Sequence, residues 1–316
     1  MIIINQGTYK GLKSIVLEND LLRIEFLPQY GGKMASLSHK ETDREFLFQS
    51  EQEKLEIPEY AADFLAYDSS GFDEIFPSVD ASFYPDGDWK ATPIPDHGEV
   101  WTLPWDLKVK DEVIKLSVVS PRFPYKLKKE INLENKKIRI DYTVTNFSRQ
   151  EFKFIWCAHA LLNCNPKHTK IIFPPGEDKI INLETSSEHL GDWGKIYDYP
   201  IVTTENNTEI DMSRVESKSA NNCEKFYIPH KLEEGKCGVE YEDTQERLMY
   251  KFPVDKVPYL GVWKTQGGYR GDYNIALEPC TGIYDDLYVA DKINKVATIP
   301  AQDTYKWYLE MKVENY

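Results

Sequence analysis

Apolar and polar residues alternate with a period of two along most of this chain, the signature of strands with one face on a core. Leu22, Ile24 and Phe26 alternate with Arg23 and Glu25 until Pro28 and Gly31-Gly32 break the run. Lys33 to Leu37 reads as a short strand, His39 to Arg44 as a hairpin loop and Glu45 to Phe48 as the returning strand. Ile114, Leu116 and Val118 alternate with Lys115, Ser117 and Val119, and Tyr125 to Leu133 forms another strand. Ile138, Ile140, Tyr142 and Val144 give the clearest half-exposed strand. Glu151 to Leu162 reads as one strand, with Phe152, Phe154, Trp156 and Ala158 on one face. Its other face, Lys153, Ile155, Cys157, His159 and Leu161, becomes apolar toward His159, so His159 is expected to point into an enclosed space. Two short strands fall in Lys236 to Phe252, one follows Tyr259 to Lys264, another ends at Glu278, and the last runs from Tyr305 to Val313.

Two stretches lose the pattern. From Ser50 to Asp96, prolines sit among aromatics and acids, and long irregular segments in compact domains are usually functional. Within it, Gly71 to Val79 reads as a loop held by buried aromatics, with Asp73 and Glu74 as solvated acids. Residues 166 to 222 hold turns and scattered aromatics, with Gly191 to Gly194 a loop tip, and only Asp285 to Asp291 suggests a helix. With no repeat, low-complexity segment or linker, the pattern predicts one all-β domain over residues 1–316, a large antiparallel sandwich.

Composition narrows the function. The formal net charge of -14 disfavours nucleic acid and acidic membrane surfaces as partners but leaves a small neutral ligand unaffected. Five irregularly spaced cysteines read as free thiols. The start lacks the basic lead of a signal sequence, and no apolar run approaches the ~20 residues that span a bilayer. The expectation is a soluble cytoplasmic protein, monomer or homodimer.

Candidate chemistry concentrates at three places. The strand Asn274 to Leu277 delivers Glu278 directly before Pro279 and a Thr281-Gly282 turn, and an acid among Ala276, Leu277 and Cys280 is poorly solvated. His97 stands in Asp96-His97-Gly98, followed by Trp101 and Trp105, and aromatics beside polar groups suit a sugar. His159 ends an inward strand. The other histidines are less informative: His39 and His168 sit in polar, solvated turns, and His189 and His230 in ambiguous loops. Cys157, His159 and Cys164 lack a fourth ligand and a paired C-x-x-C unit, so no metal is expected. There is no G-x-G-x-x-G, P-loop or G-x-S-x-G, so no nucleotide cofactor is expected either. An imidazole near neutrality opposite a desolvated carboxylate is what acid–base work on a sugar needs.

These residues resemble the galactose mutarotase-like (aldose 1-epimerase) superfamily over nearly the whole chain. Leu27 to Leu37 resembles its opening Gly-Gly strand, Gly71 to Pro77 the loop before its first histidine, and Asp96-His97-Gly98 its His-Gly segment. His159 falls where the family has its general acid and Glu278 where it has its general base. The resemblance implies a β-supersandwich and interconversion of sugar anomers without a cofactor, with His97 holding the sugar. Two departures concern substrate recognition. Asp73-Glu74 stands where galactose-type members have Asn-Arg, and Glu224-Lys225-Phe226 lies near their Asp-His pair. Asp73 and Lys225 are therefore candidate sugar contacts, and galactose is not assured as the substrate. Two other readings are a glycoside hydrolase or lyase pairing Glu278 with Asp73 or Glu74, and a sugar-binding protein with Trp101, Trp105 and Trp263 as its platform.

Overall fold

The computed structural model describes residues 1–204 and 206–316. Among these residues, two antiparallel sheets of 12 and 8 strands stack face to face. The alternation does its expected work in the smaller sheet. Tyr125–Glu134 and Lys137–Asn146 bury every second residue and pair from Tyr125↔Asn146 to Glu134↔Lys137. Thr304–Asn315 flanks them, and its Trp307 stacks on Tyr142 at 5.1 Å. Both rings pack on Trp156, which stands just before the strand Cys157–Leu162 of the larger sheet.

The middle of the larger sheet runs Lys33–His39, Phe72–Ile75, Cys157–Leu162, Tyr273–Cys280, Tyr259–Gln266, Asn222–Tyr227. These strands are buried on both faces, because the smaller sheet covers one and loops cover the other. Double burial erases the polar half of the alternation. For that reason Phe72–Ile75, expected to be loop, is instead a central strand, and Asp73 and Glu74 are buried rather than solvated.

Other expectations need correction too. Glu151 to Leu162 is two strands. Phe152–Phe154 pairs with Ala297–Ile299 in a small separate sheet, and the chain joins the larger sheet only at Cys157. His39 is fully buried, its Nδ1 2.5 Å from Glu246 Oε1, so the hairpin is tied to the smaller sheet. The strand through Glu278 continues over Pro279 to Cys280. Ile3–Tyr9, Leu12–Glu18 and Asp106–Lys110 are strands without a sequence expectation. The one α-helix among the described residues, Leu287–Lys292, is capped by Asp286, which accepts from Val289 N at 3.1 Å.

Candidate functional site

Register arranges the loop-covered face of the larger sheet into rows of side chains. His159 pairs with Asp73 on one side. The pairs Cys157↔Cys280 and Ala160↔Leu277 place it opposite Glu278 on the other. Glu278 pairs with Gly261, and Gly261 with Tyr227, which completes the first row. Two residues along, Leu161, Ala276, Trp263 and Lys225 form the second row. Asn274, Thr265 and Cys223 form the third. Gly261 is required: a Cβ there would lie 2.8 Å from the Tyr227 ring and 3.2 Å from Glu278 Oε2.

Above these rows lies a cavity of about 320 Å³ whose wall includes His97, His159, Lys225, Trp263, Asn274 and Glu278. Its roof comes from irregular segments carrying Phe64, Val79, Asp80, Asp96 and Asp285. His97 is locked into that roof. Its backbone is left-handed (φ 58°), and its N–H donates to Val79 O at 2.6 Å. Its ring lies flat on Phe64, centroids 3.7 Å apart, and meets the His159 ring edge-on at 5.2 Å. Gly98 lets the chain pass, since a Cβ there would sit 2.1 Å from Phe76 O.

The electrostatics of the first row are set by burial. Glu278 is wholly buried, and Lys225 Nζ contacts its Oε2. The Cys157 thiol donates to the same oxygen at 3.7 Å, while Oε1 has no partner among the described residues. Burial pushes the Glu278 carboxyl up, against the pull of Lys225, and Asp285 adds to the rise. His159 is pushed well below the usual imidazole range, first by burial and then by His97 and Lys225. Lys225 also lies 3.6 Å from Asp285 Oδ1, which accepts from Tyr227 OH at 2.5 Å. Asp80 is raised to about 6, chiefly by burial and then by Asp285.

No protein-family model matches the chain, and no curated protein sequence matches it. Solved structures do. A protein from Synechocystis sp. PCC 6803 superposes with TM-score 0.73 at 14% identity, covering 96% of both chains. A galactose mutarotase-like protein from Lactobacillus casei ATCC 334 gives 0.69 at 16%, covering 95% of this chain and 100% of that one. Galactose 1-epimerase from Lactobacillus acidophilus NCFM gives 0.65 at 15%, covering 100% and 99%. The fold is galactose mutarotase-like.

On this galactose mutarotase-like scaffold, five of the residues singled out in the sequence line one cavity: His97, His159, Lys225, Trp263 and Glu278. Asp73 is not in the cavity wall. It sits beside His159, 1% exposed, with Oδ2 3.1 Å from Lys33 Nζ, and burial raises it to about 6. Glu74 faces the opposite way, into the core. It accepts from Trp156 Nε1 at 2.9 Å and Tyr142 OH at 2.8 Å and pairs with Lys129 Nζ at 3.0 Å. Neither acid faces the cavity together with Glu278: Asp73 lies outside its wall, and Glu74 is on the other side of the sheet. Trp101 and Trp105 form no platform. Both are buried, and their indole N–H groups donate to Asp96 O and Val100 O, which stiffens the His97 segment.

Sequence reasoning missed Phe64, Asp80, Asp285 and Asn274 as wall residues of the galactose mutarotase-like cavity. The first three come from irregular backbone, where no period marks a direction. Asn274 was findable, because residues four apart on a strand share a face with period two, and Glu278 was already in view.

Proposed function

We propose that the protein is an aldose 1-epimerase-like isomerase that interconverts the anomers of a reducing sugar. The observation that carries this reading is the placement of His159 and Glu278 opposite each other on neighbouring strands, on the wall of one cavity. Glu278 Oε1, the oxygen without a partner, takes the proton of the C1 hydroxyl. The C1–O5 bond breaks as O5 receives a proton from His159. The aldehyde rotates about C1–C2, and closure on the other face returns both protons. Lys225 holds Glu278 toward the carboxylate form, and His97 lies edge-on to His159, within reach of the ring oxygen. All steps are proton transfers, so the chain's own residues suffice, each supplying a factor of ~10²–10⁴.

Nuclear magnetic resonance exchange on a panel of equilibrated sugars, or polarimetry on fresh anomers, tests the reading. Acceleration of at least one sugar is expected. Sugar binding by calorimetry with no exchange would favour a binding protein instead.

The pH profile has a defined shape. With Glu278 raised and His159 lowered, the pair holds one proton between its two titrations, and both shifts put that proton on Glu278, so the reactive form with carboxylate and imidazolium is the minor one. Below that interval both groups are protonated and the base is lost. Above it both are stripped and the acid is lost. kcat/KM for exchange is therefore expected to be bell-shaped, and a profile without either limb over the pH range in which the protein stays folded counts against the pair.

Charge selects among sugars. Among the described residues, Asp80, Asp96, Glu184, Asp272, Glu278 and Asp285 line the cavity against one lysine, Lys225, which is already engaged by Glu278 and Asp285. A phosphate would enter against like charge. Free sugars are expected to exceed their 6-phosphates in kcat/KM by more than about tenfold; equal rates would refute this.

A further inference from the structure

His159 stands between two acids. Asp73, His159 and Glu278 follow one another along the first row, Asp73 on the strand to one side and Glu278 on the strand to the other. A lysine backs each acid: Lys33 Nζ lies 3.1 Å from Asp73 Oδ2, and Lys225 Nζ contacts Glu278 Oε2. Glu278 is on the cavity wall and meets the sugar in the reading above, whereas Asp73 lies outside the wall and has no part in that reading.

Lys33 does not satisfy Asp73. Its Nζ donates to Asp68 O at 2.9 Å, Asp68 Oδ2 at 3.2 Å and Ser70 O at 2.7 Å, three acceptors for its three protons. Asp73 therefore has the charge of the ammonium nearby but no hydrogen bond from it. Neither of its carboxylate oxygens has a donor among the described residues, although the residue is 1% exposed. A buried carboxylate without a donor is strongly disfavoured, and such exceptions call for a cause. His159 supplies one, because its Nδ1 is also buried without a partner among the described residues. The residue is 7% exposed and Nδ1 is its hidden nitrogen, which leaves Nε2 for the cavity. The Phe64 and His97 rings meet it edge-on, centroids 5.7 and 5.2 Å away, so its polar neighbours within the sheet are the two acids. Cross-strand neighbours hold their Cβ atoms about 4.5–5.5 Å apart, close enough for a side-chain rotation to join carboxylate and ring nitrogen.

We infer that Asp73 is a positioning residue for His159, accepting its Nδ1–H so that Nε2 is the nitrogen that exchanges a proton with the sugar. This rests on the anomer-exchange reading of the same histidine. As the sugar ring opens, the Nε2 proton passes to O5 while the Nδ1 proton stays on the imidazole, facing Asp73. Closure returns the proton from O5 to Nε2. A carboxylate behind the imidazole also favours its protonated form, which the acid needs and burial opposes. Asp73 is ionised at neutral pH, since burial raises it only to about 6.

Nitrogen-15 NMR of imidazole-labelled protein reads the tautomer. In the native protein the neutral His159 ring is expected as Nδ1–H. Finding Nε2–H, the form an unconstrained histidine prefers, overturns the inference and needs no variant. Asp73→Leu keeps the bulk and leaves Lys33 with Asp68; there the ring is expected to revert to Nε2–H. kcat should fall about tenfold or more, part of the ~10²–10⁴ that a positioned acid supplies, with KM unchanged. Asp68→Asn disturbs the same lysine from outside the row and should move neither readout. A tautomer unmoved in folded Asp73→Leu, or one that reverts in Glu278→Gln alone, overturns the inference. A sugar panel without any exchange sinks the parent reading instead, and the tautomer alone then decides for or against the Asp73–His159 contact.

Discussion

Glu278→Gln is expected to slow anomer exchange by about 10²–10⁴-fold while leaving the protein folded. Glutamine has nearly the same shape, so the packing against Gly261 and Cys157 is kept, and Lys225 retains Asp285 at 3.6 Å. What is lost is the negative charge, and with it the base at Oε1 and the charge pairing of Oε2 with Lys225. Oε1 is buried and unpaired, so an amide there replaces what it contributes to the fold. The loss should fall on kcat rather than KM, because the proton leaves C1–OH only in the transition state. His159→Ala is expected to cost a similar factor. The double variant should cost little more than either single one, since an acid without its base cannot open the ring. Exchange spectroscopy with circular dichroism as the folding control measures all three. Wild-type rates in folded Glu278→Gln would remove Glu278 from the chemistry and with it the proposed function.

Glu74→Ala should be among the most destabilising single changes, costing about 3–5 kcal/mol. The carboxylate is fully buried between the sheets and answers three groups at once: Lys129 Nζ, Tyr142 OH and Trp156 Nε1. Deleting it strands an ammonium in the core, with only Gly32 O at 2.9 Å left as acceptor. It also leaves the tyrosine and indole donors unpaired. Against a total stability of about 5–15 kcal/mol, such a loss brings the protein close to unfolding at ambient temperature. Glu74→Ala combined with Lys129→Met removes the stranded charge and should recover part of the loss. Recovery stays incomplete, because the two aromatic donors still lack a partner. Urea titrations of the two variants and the parent give the comparison; a cost below about 1 kcal/mol for Glu74→Ala would mean that the core rearranges around the missing carboxylate.

Much of the site was legible because two of its strands announce their direction. In Cys157–Leu162 the side bearing His159 grows apolar toward it, which can be read without coordinates and is what the cavity wall shows. In Tyr273–Cys280, period two ties Asn274 to Glu278, though only the wall made the tie visible. Asp73 and Glu74 mark the limit. They are adjacent, both acidic and both buried, in a four-residue strand too short to show a period. One lies beside His159 and pairs with Lys33, while the other anchors the core. Their sequence resemblance to a sugar-contacting pair could not separate those roles.

The sequence by itself determined the all-β architecture, the enclosed direction of His159 and the buried position of Glu278, since alternation and turn residues are local properties of the chain. Tertiary structure alone decided that Lys225 reaches Glu278, that Asp80 and Asp285 enter the cavity and that Trp101 and Trp105 leave it. Those outcomes depend on strand register and on irregular loops folding over a sheet buried on both sides. Residues from positions 64 to 285 meet there, and periodicity links only those that share a strand, so only the packed chain could bring them into one cavity.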